Sequence, residues 1–256
     1  MPHKLGLIHV ETPSDVAMLG RVMKPGLIAP PRTDWHTKYP ADGDPLGNDQ
    51  YGNCLPCAEM QAIYMRRANA WGDTTRATRG EAIALYSKLT GFDPTTGRPD
   101  DGTMVDAAMK SWSQHGIRLD SQNEDVPLWV SVQRRSIPQI KLAIWAFGPV
   151  QLSFAMPAAI EADPEAPWTL TRKGRGLDWS PGSWGGHRVT SGKYDETHIY
   201  IRTWGVDVPV DLDFFIHYCI ACDATISREW CDTAGLAPSG MTFDEMRAEA
   251  GSLRGA

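Results

Sequence analysis

No stretch of this 256-residue chain is apolar for long enough to cross a bilayer: the longest such tract, LAIWAFGPV, falls far short of the ~20 residues a spanning helix needs. The first residues, MPHKLGLIHVETPSD, lack the apolar centre of a secretory signal, so the chain is expected to start out in the cytoplasm of its host cell. There is no block of Lys or Arg, and the formal net charge is -6, which excludes the electrostatic footprint of a nucleic-acid binder. Cysteine is sparse and odd in number, with five residues (Cys54, Cys57, Cys219, Cys222, Cys231), which argues against a secreted disulfide framework and for free thiols. Internal repeats and low-complexity segments are absent. What remains is 42% hydrophobic and 22% charged with ten Trp, enough chain and apolar surface for one large domain or two small ones.

Residues 1 to 46 contain KPGLIAPPRTDW and PADGDPLG, rich in Pro and Gly and without periodicity, and read as an extended arm laid over the domain. From Pro56 a helical pattern sets in, with Cys57, Met60, Tyr64, Ala68 and Trp71 recurring at helical spacing and Gly72 as a stop. A second helix is predicted over EAIALYSKLTGF. A third is predicted over TMVDAAMKSWSQHG, where Thr103 and Asp106 have capping-box spacing, and a fourth over SIPQIKLAIWAFG with Pro138 in its first turn. Beyond Gly148 the composition changes: PVQLSFAM, HRVTSGKY, THIYIRTW and VDVPV carry the alternation and β-branching of strands. DLDFFIHYCIACDA reads as one helix packed on that sheet, and TFDEMRAEAGS as a short terminal helix capped by Thr242 with Glu245. A helical half followed by a β-rich half defines an α+β fold. The expected divisions are an arm over 1–46, a domain over 47–230 and a tail with a short helix over 231–256.

Chemistry concentrates at GNDQYGNCLPCAEM, residues 47–60. Two C-x-x-C pairs, CLPC and CIAC, invite a zinc reading, but 161 residues separate them and the second pair lies in an apolar run where cysteine behaves as a small hydrophobe. A redox pair opening a helix is a second candidate, yet that motif belongs after a strand, and here a Pro- and Gly-rich arm precedes it. The third reading makes Cys54 a nucleophile at a helix mouth, where the helix dipole favours thiolate, and leaves Cys57 on the apolar stripe as core. No metal or cofactor is then needed. Of seven histidines, His187 has the most suggestive surroundings, following Gly185 and Gly186 at the start of a strand, and it lies 133 positions after Cys54. That falls within the ~130–150 typical of papain-type cysteine and histidine.

YGNCLPCAEMQAIYM, GTMVDAAMKSWSQHGI, IKLAIWAFGPVQLSF and GGHRVTSGKYDETHIYIRTWG, in that order, resemble the landmarks of papain-like cysteine peptidases. LGNDQYGNC and GGHRV with TWG are similar, more narrowly, to compact papain-like proteins encoded by bacteriophages and prophages. The resemblance covers about residues 46–225 and rests on order and spacing. It implies a papain-like fold in which Cys54 is nucleophile and His187 base, with Asn48, six before the cysteine, as oxyanion donor and Gln50 in reserve. The family's orienting asparagine corresponds to Arg202, so Thr203, Asp207 or a backbone carbonyl is left to hold the imidazole. Trp204 matches the tryptophan that shields the histidine. Gly186 leaves room for a substrate backbone, and Arg188 stands where the family has alanine, able to bind an acidic substrate group or to pair structurally.

The function so implied is thiol-dependent hydrolysis of a peptide or protein substrate. Two alternatives stand beside it. One is a papain fold without catalysis, a structural or assembly component of a phage particle with phage structural proteins as partners and a place in the virion. The other is a cell-wall amidase of the CHAP type, for whose compact fold the Cys54 to His187 separation is long.

Overall fold

Helix α1 (Cys54–Trp71) is buried from Cys54 to Asn69 on every side, and this explains why it carries only a weak apolar stripe. Several of its polar residues find partners inside. Arg66 donates to the Pro149 carbonyl at 3.3 Å and to the Thr225 hydroxyl, Arg67 pairs with Glu124, and the Asn69 amide donates to the Trp35 carbonyl at 2.8 Å. Gly72, at φ 71°, supplies the left-handed residue that ends the helix.

The computed structural model describes residues 3–9, 27–119, 122–124, 128–170 and 176–251. Short strands β1 (Leu7–His9) and β2 (Thr33–Asp34) precede α1. After it come α2 (Arg79–Thr90), β3 (Thr103–Met104), α3 (Val105–His115), the ribbon of β4 (Ile117–Leu119) and β5 (Gln122–Glu124), β6 (Leu128–Ser131) and α4 (Ile137–Phe147). The second half holds β7 (Val150–Met156), β8 (Gly185–Tyr194), β9 (His198–Thr203), β10 (Val206–Asp211), α5 (Leu212–Tyr218), β11 (Cys219–Ile226) and α6 (Phe243–Gly251). The main sheet runs β10-β9-β8-β7-β11-β6, all neighbours antiparallel, with β1 and β2 added to β8 and β3 added to β1. One core lies between the sheet and α4, α5 and α6, and a second surrounds α1 with α2 and α3. The expected α+β division, helices first and antiparallel strands after, is the one observed.

Two local expectations are corrected. Thr103 does not cap α3: it belongs to β3, its N–H donating to the Gly6 carbonyl at 2.7 Å, and the helix starts after Met104 without a side-chain cap. The stretch DLDFFIHYCIACDA is not one helix. Asp211 caps α5 by accepting the Phe214 N–H at 2.6 Å, and the chain then turns extended at Cys219 to form β11 between β7 and β6. A short apolar run does not distinguish helix from buried strand by its period, and here two waiting partner strands decide it. The Thr242–Glu245 box at the start of α6 is present, with both reciprocal bonds.

The β9–β10 hairpin is closed by Trp204 and Gly205, at φ 47° and 83°, the two positive values a two-residue turn of the mirror-image type requires. A Cβ on Gly205 would lie 2.4 Å from the Gly43 carbonyl carbon, because the loop at residues 43 and 44 passes directly over the turn. Gly205→Ala is therefore expected to lower stability by about 2 kcal/mol, from the left-handed conformation alone, with more from the contact. Urea unfolding of the two proteins measures it, and an unchanged midpoint with unchanged slope would contradict the turn geometry.

Candidate active site

Asn53 precedes α1 but does not cap it: its amide donates to the Leu46 carbonyl at 3.0 Å. The first-turn amides of α1 are therefore free of a side-chain cap where Cys54 sits, at the first helical position. Its sulfur is buried and meets the backbone N–H groups of Arg188, Gly6 and Leu55. Burial pushes the Cys54 thiol above its usual pKa, while those amides and the Arg188 guanidinium pull the other way. Cys57, one turn deeper, donates to the Leu46 carbonyl at 3.5 Å, and burial drives its pKa well up. The two cysteines of the motif stand in different surroundings.

His187 enters from the facing strand. It pairs with Phe154 across β7 and β8, and is fully buried. The Trp204 ring stacks on its imidazole, 4.4 Å between centroids and 10° from parallel, an orientation set by the left-handed turn at Trp204. His187 Nε2 lies 2.7 Å from the Thr203 hydroxyl, and Nδ1 has no hydrogen-bond partner among the described residues. With the proton on Nε2 and given to Thr203, Nδ1 is left as a bare lone pair, the form a base needs. Burial, with His3 nearby, holds this imidazole neutral by lowering its pKa to about 3.

The other sequence-nominated residues divide. Asn48 is buried, and its amide donates into the cleft, to the Lys4 carbonyl at 3.2 Å and the Tyr51 carbonyl at 3.1 Å. Gln50 turns outward, donating to Asp49 and accepting from Arg79 at 2.8 Å, so it is not an oxyanion donor in this arrangement. Arg188 is also withdrawn from any substrate. Its guanidinium is buried and donates to Ser153 at 2.9 Å and to Asp223 at 3.0 Å. Arg202, in the asparagine's place, forks onto Asp207 and reaches the Tyr39 carbonyl at 3.0 Å. Asp207 is spoken for by Arg202 and by His36 Nδ1 at 3.0 Å, which leaves Thr203 as the residue on His187.

Sequence reasoning missed two groups. Glu59, Ser153 and Asp223 surround the Arg188 guanidinium, a buried cluster drawn from α1, β7 and β11 with no shared motif to announce it. The second group is the N-terminal segment. Residues 3–9 run between the two halves: Lys4 N–H donates to the Asn48 carbonyl at 3.2 Å, Leu7 pairs with Thr103 on one side and Gly186 on the other, and His3 stacks on the outer face of Trp204 at 4.5 Å. The cavity at Cys54, bordered by Asn48, Cys57, Gln61, Arg188 and Trp204, measures ≈ 10 Å³, room for about one water. Among the described residues, no group of three or more His, Cys, Asp or Glu is arranged to hold a metal ion, and no helix is long and apolar enough to cross a membrane.

The chain has the fold of the papain-like cysteine proteases, with Cys54 at the mouth of the buried helix and His187 on β8 of the antiparallel sheet. The solved structures similar to it include xylellain, a cysteine protease from Xylella fastidiosa, with TM-score 0.65 and 14% identity over 88% of this chain and 96% of that one. The cysteine protease CMS1MS2 of Carica candamarcensis, solved with E-64, superposes with TM-score 0.56 and 14% identity over 77% and 98%. Digestive procathepsin L 3 of Tenebrio molitor larval midgut gives 0.57 and 12% over 83% and 74%. No family model matches the sequence, and no curated protein does.

Two outcomes follow from the buried groups. Thr203→Val should cost about 1–3 kcal/mol in denaturant unfolding, because it leaves the buried His187 N–H without an acceptor; Thr203→Ser should retain most of the stability. Glu59 is held largely protonated at neutral pH, with burial raising its pKa to about 8 against the opposing Arg188 and Arg66 charges. Between pH 4.5 and 8 the unfolded chain releases a proton that the folded chain keeps, so this group lowers stability as pH rises. Glu59→Gln should accordingly gain stability relative to the parent between pH 5 and pH 8, read as the difference in melting temperature at each pH.

Proposed function

We propose that this chain is a cysteine peptidase, or a related thiol amide hydrolase, working through an acyl-enzyme on Cys54. The observation that carries it is the state of His187: Nε2 committed to Thr203, Nδ1 bare, on the strand whose next backbone amide meets the Cys54 sulfur. In the proposed reaction the sulfur bonds to a substrate carbonyl carbon as the thiol proton passes to His187 Nδ1. In the closed site burial favours neutral imidazole and neutral thiol. The Cys54 backbone N–H and the Asn48 amide serve the oxyanion, an assignment supported by the bond that the Asn48 amide donates to the Lys4 carbonyl. His187 then gives its proton to the leaving amine and the C–N bond breaks. Water attacks the thioester, its proton going to His187 and then back to the departing sulfur.

Thr203 supplies the orientation that asparagine supplies in the family. An apolar recess of ≈ 260 Å³, bounded by Leu89, Pro99, Met104, Ala108 and Ile8, adjoins the β1 seat and suits an apolar substrate side chain. The alternative, a papain fold that is not catalytic and serves in a phage particle, draws on the sequence likeness and on Arg202, which is locked to Asp207 in place of the orienting amide.

Incubation with an active-site-directed thiol inhibitor, followed by peptide mass mapping over time, separates the two readings. Catalytic competence predicts that Cys54 is modified ahead of the other four cysteines, and that His187→Ala slows this by roughly 100-fold, the usual worth of a positioned base. Equal, slow modification of all five thiols in both proteins would overturn the peptidase reading.

A further inference from the structure

We infer that Arg188 is a positioning residue for the nucleophile, a fixed positive charge that stabilises the negative charge gathering on the Cys54 sulfur as its proton leaves. The inference rests on the reading of Cys54 as nucleophile, and the arrangement of the guanidinium is its evidence. Arg188 meets the sulfur in two ways. Its backbone N–H is directed at Cys54, its guanidinium charge acts on the same thiol, and both residues border the ≈ 10 Å³ cavity. The residue is 1% exposed, and its side-chain hydrogen bonds are gathered on one nitrogen. Nη1 donates to Ser153 at 2.9 Å and to Asp223 at 3.0 Å, whereas Nε and Nη2 have no hydrogen-bond partner among the described residues. A buried cation so sparsely matched is destabilising in the resting protein.

The groups facing Arg188 sharpen that imbalance. From β11 comes the Asp223 carboxylate, together with the thiols of Cys219 and Cys222, whose pKa values burial raises. From α1 comes Glu59, which burial keeps largely protonated until about pH 8, so it offers little negative charge at neutral pH. Arg66, the second buried cation of the cluster, has the Glu229 charge acting on it. Around the sulfur stand the Cys57 thiol and the Tyr86 hydroxyl, and burial raises the pKa of both.

Of these neighbours, Cys54 is the one that the proposed reaction ionises. Its thiol is neutral at rest and becomes anionic as it gives up the proton, and an imidazole that burial holds neutral supplies no counter-charge before it receives that proton. The guanidinium is already in place. A cation fixed in a site of low dielectric acts more strongly than it would in water and needs no reorganisation when the negative charge appears. The position where the family has alanine thus carries a role in the reaction besides tying β8 to β7 and β11.

The test follows the rate of Cys54 alkylation by iodoacetamide in the full chain as a function of pH, read by mass mapping, with hydrolysis of a fluorescent casein measured in parallel. Arg188→Met should move the profile up by about one pH unit, a roughly tenfold slower reaction at any pH below the midpoint. Arg188→Lys, which keeps the charge and loses the fork, should recover most of that loss. Asp223→Asn leaves the guanidinium an acceptor and removes the opposing charge, so it should move the profile down. Cys219 and Cys222 share β11 with Asp223, and their alkylation, expected to stay at the parent's level in each variant, reports local unfolding. If Arg188→Met does not fold, the downward shift in Asp223→Asn decides. Profiles that coincide with the parent's in the variants, or that move in the same direction, would overturn the inference, and casein hydrolysis retained beside them would leave the peptidase reading standing. Opposite shifts in a protein that never hydrolyses casein would keep Arg188 as the counter-charge and overturn the peptidase reading instead.

Discussion

The contact between the mouth of α1 and strand β8 sets the rest of the structure. A helix buried on all sides cannot be placed by an apolar stripe, since it has no wet face to orient it. It is placed by its polar groups: Arg66 to Thr225 and the Pro149 carbonyl, Asn69 to Trp35, and the Ala58 carbonyl taking the Gln151 amide at 3.1 Å. With the helix so fixed, its first residue lands against the amide of Arg188, and the residue before that amide is His187. The proposed nucleophile and base are carried by two rigid elements that cross, and neither depends on a mobile loop.

The same crossing explains the buried Arg188. A strand that alternates faces sends the His187 and Arg188 side chains to opposite sides, and that of Arg188 lies between the sheet and α1, where only a charge partner makes it tolerable. Asp223 and Ser153 supply that partner from β11 and β7, so the residue that departs from the family's alanine binds the three strands together instead of reaching a ligand. Glu59 completes the cluster as a neutral carboxyl at neutral pH. The hairpin turn at Trp204 and Gly205 does comparable service on the other flank, folding an aromatic plane over the imidazole and leaving Thr203 at hydrogen-bond distance.

Much of this is legible in the sequence itself. Pro56 and Gly72 mark the ends of α1, Pro138 and Gly148 those of α4, and the alternation of β8, β9 and β10 shows plainly. Cys54, His187, Thr203 and Trp204 were each singled out, two of them through family resemblance. What escaped has physical reasons. CIACDATI is small, apolar and short, and its partners, not its own period, make it β11. Asn48 and Gln50 differ by two positions in one loop, and only the fold shows one amide directed into the cleft and the other tied to Arg79. The strand at Leu7 has no alternation to reveal it, because its affinity lies in backbone hydrogen bonds and in glycines that are far away in sequence.

The central claim is that His187 waits as a neutral base with its proton on Nε2. Ring-nitrogen NMR of the full chain with ¹⁵N-labelled histidine reads this directly. The His187 signals should show the Nε2–H tautomer at pH 7 and keep it on acidification toward pH 4, in line with a pKa lowered to about 3. An imidazolium at pH 7, or a proton on Nδ1, would mean that the ring cannot accept from Cys54 as arranged, and would contradict the site.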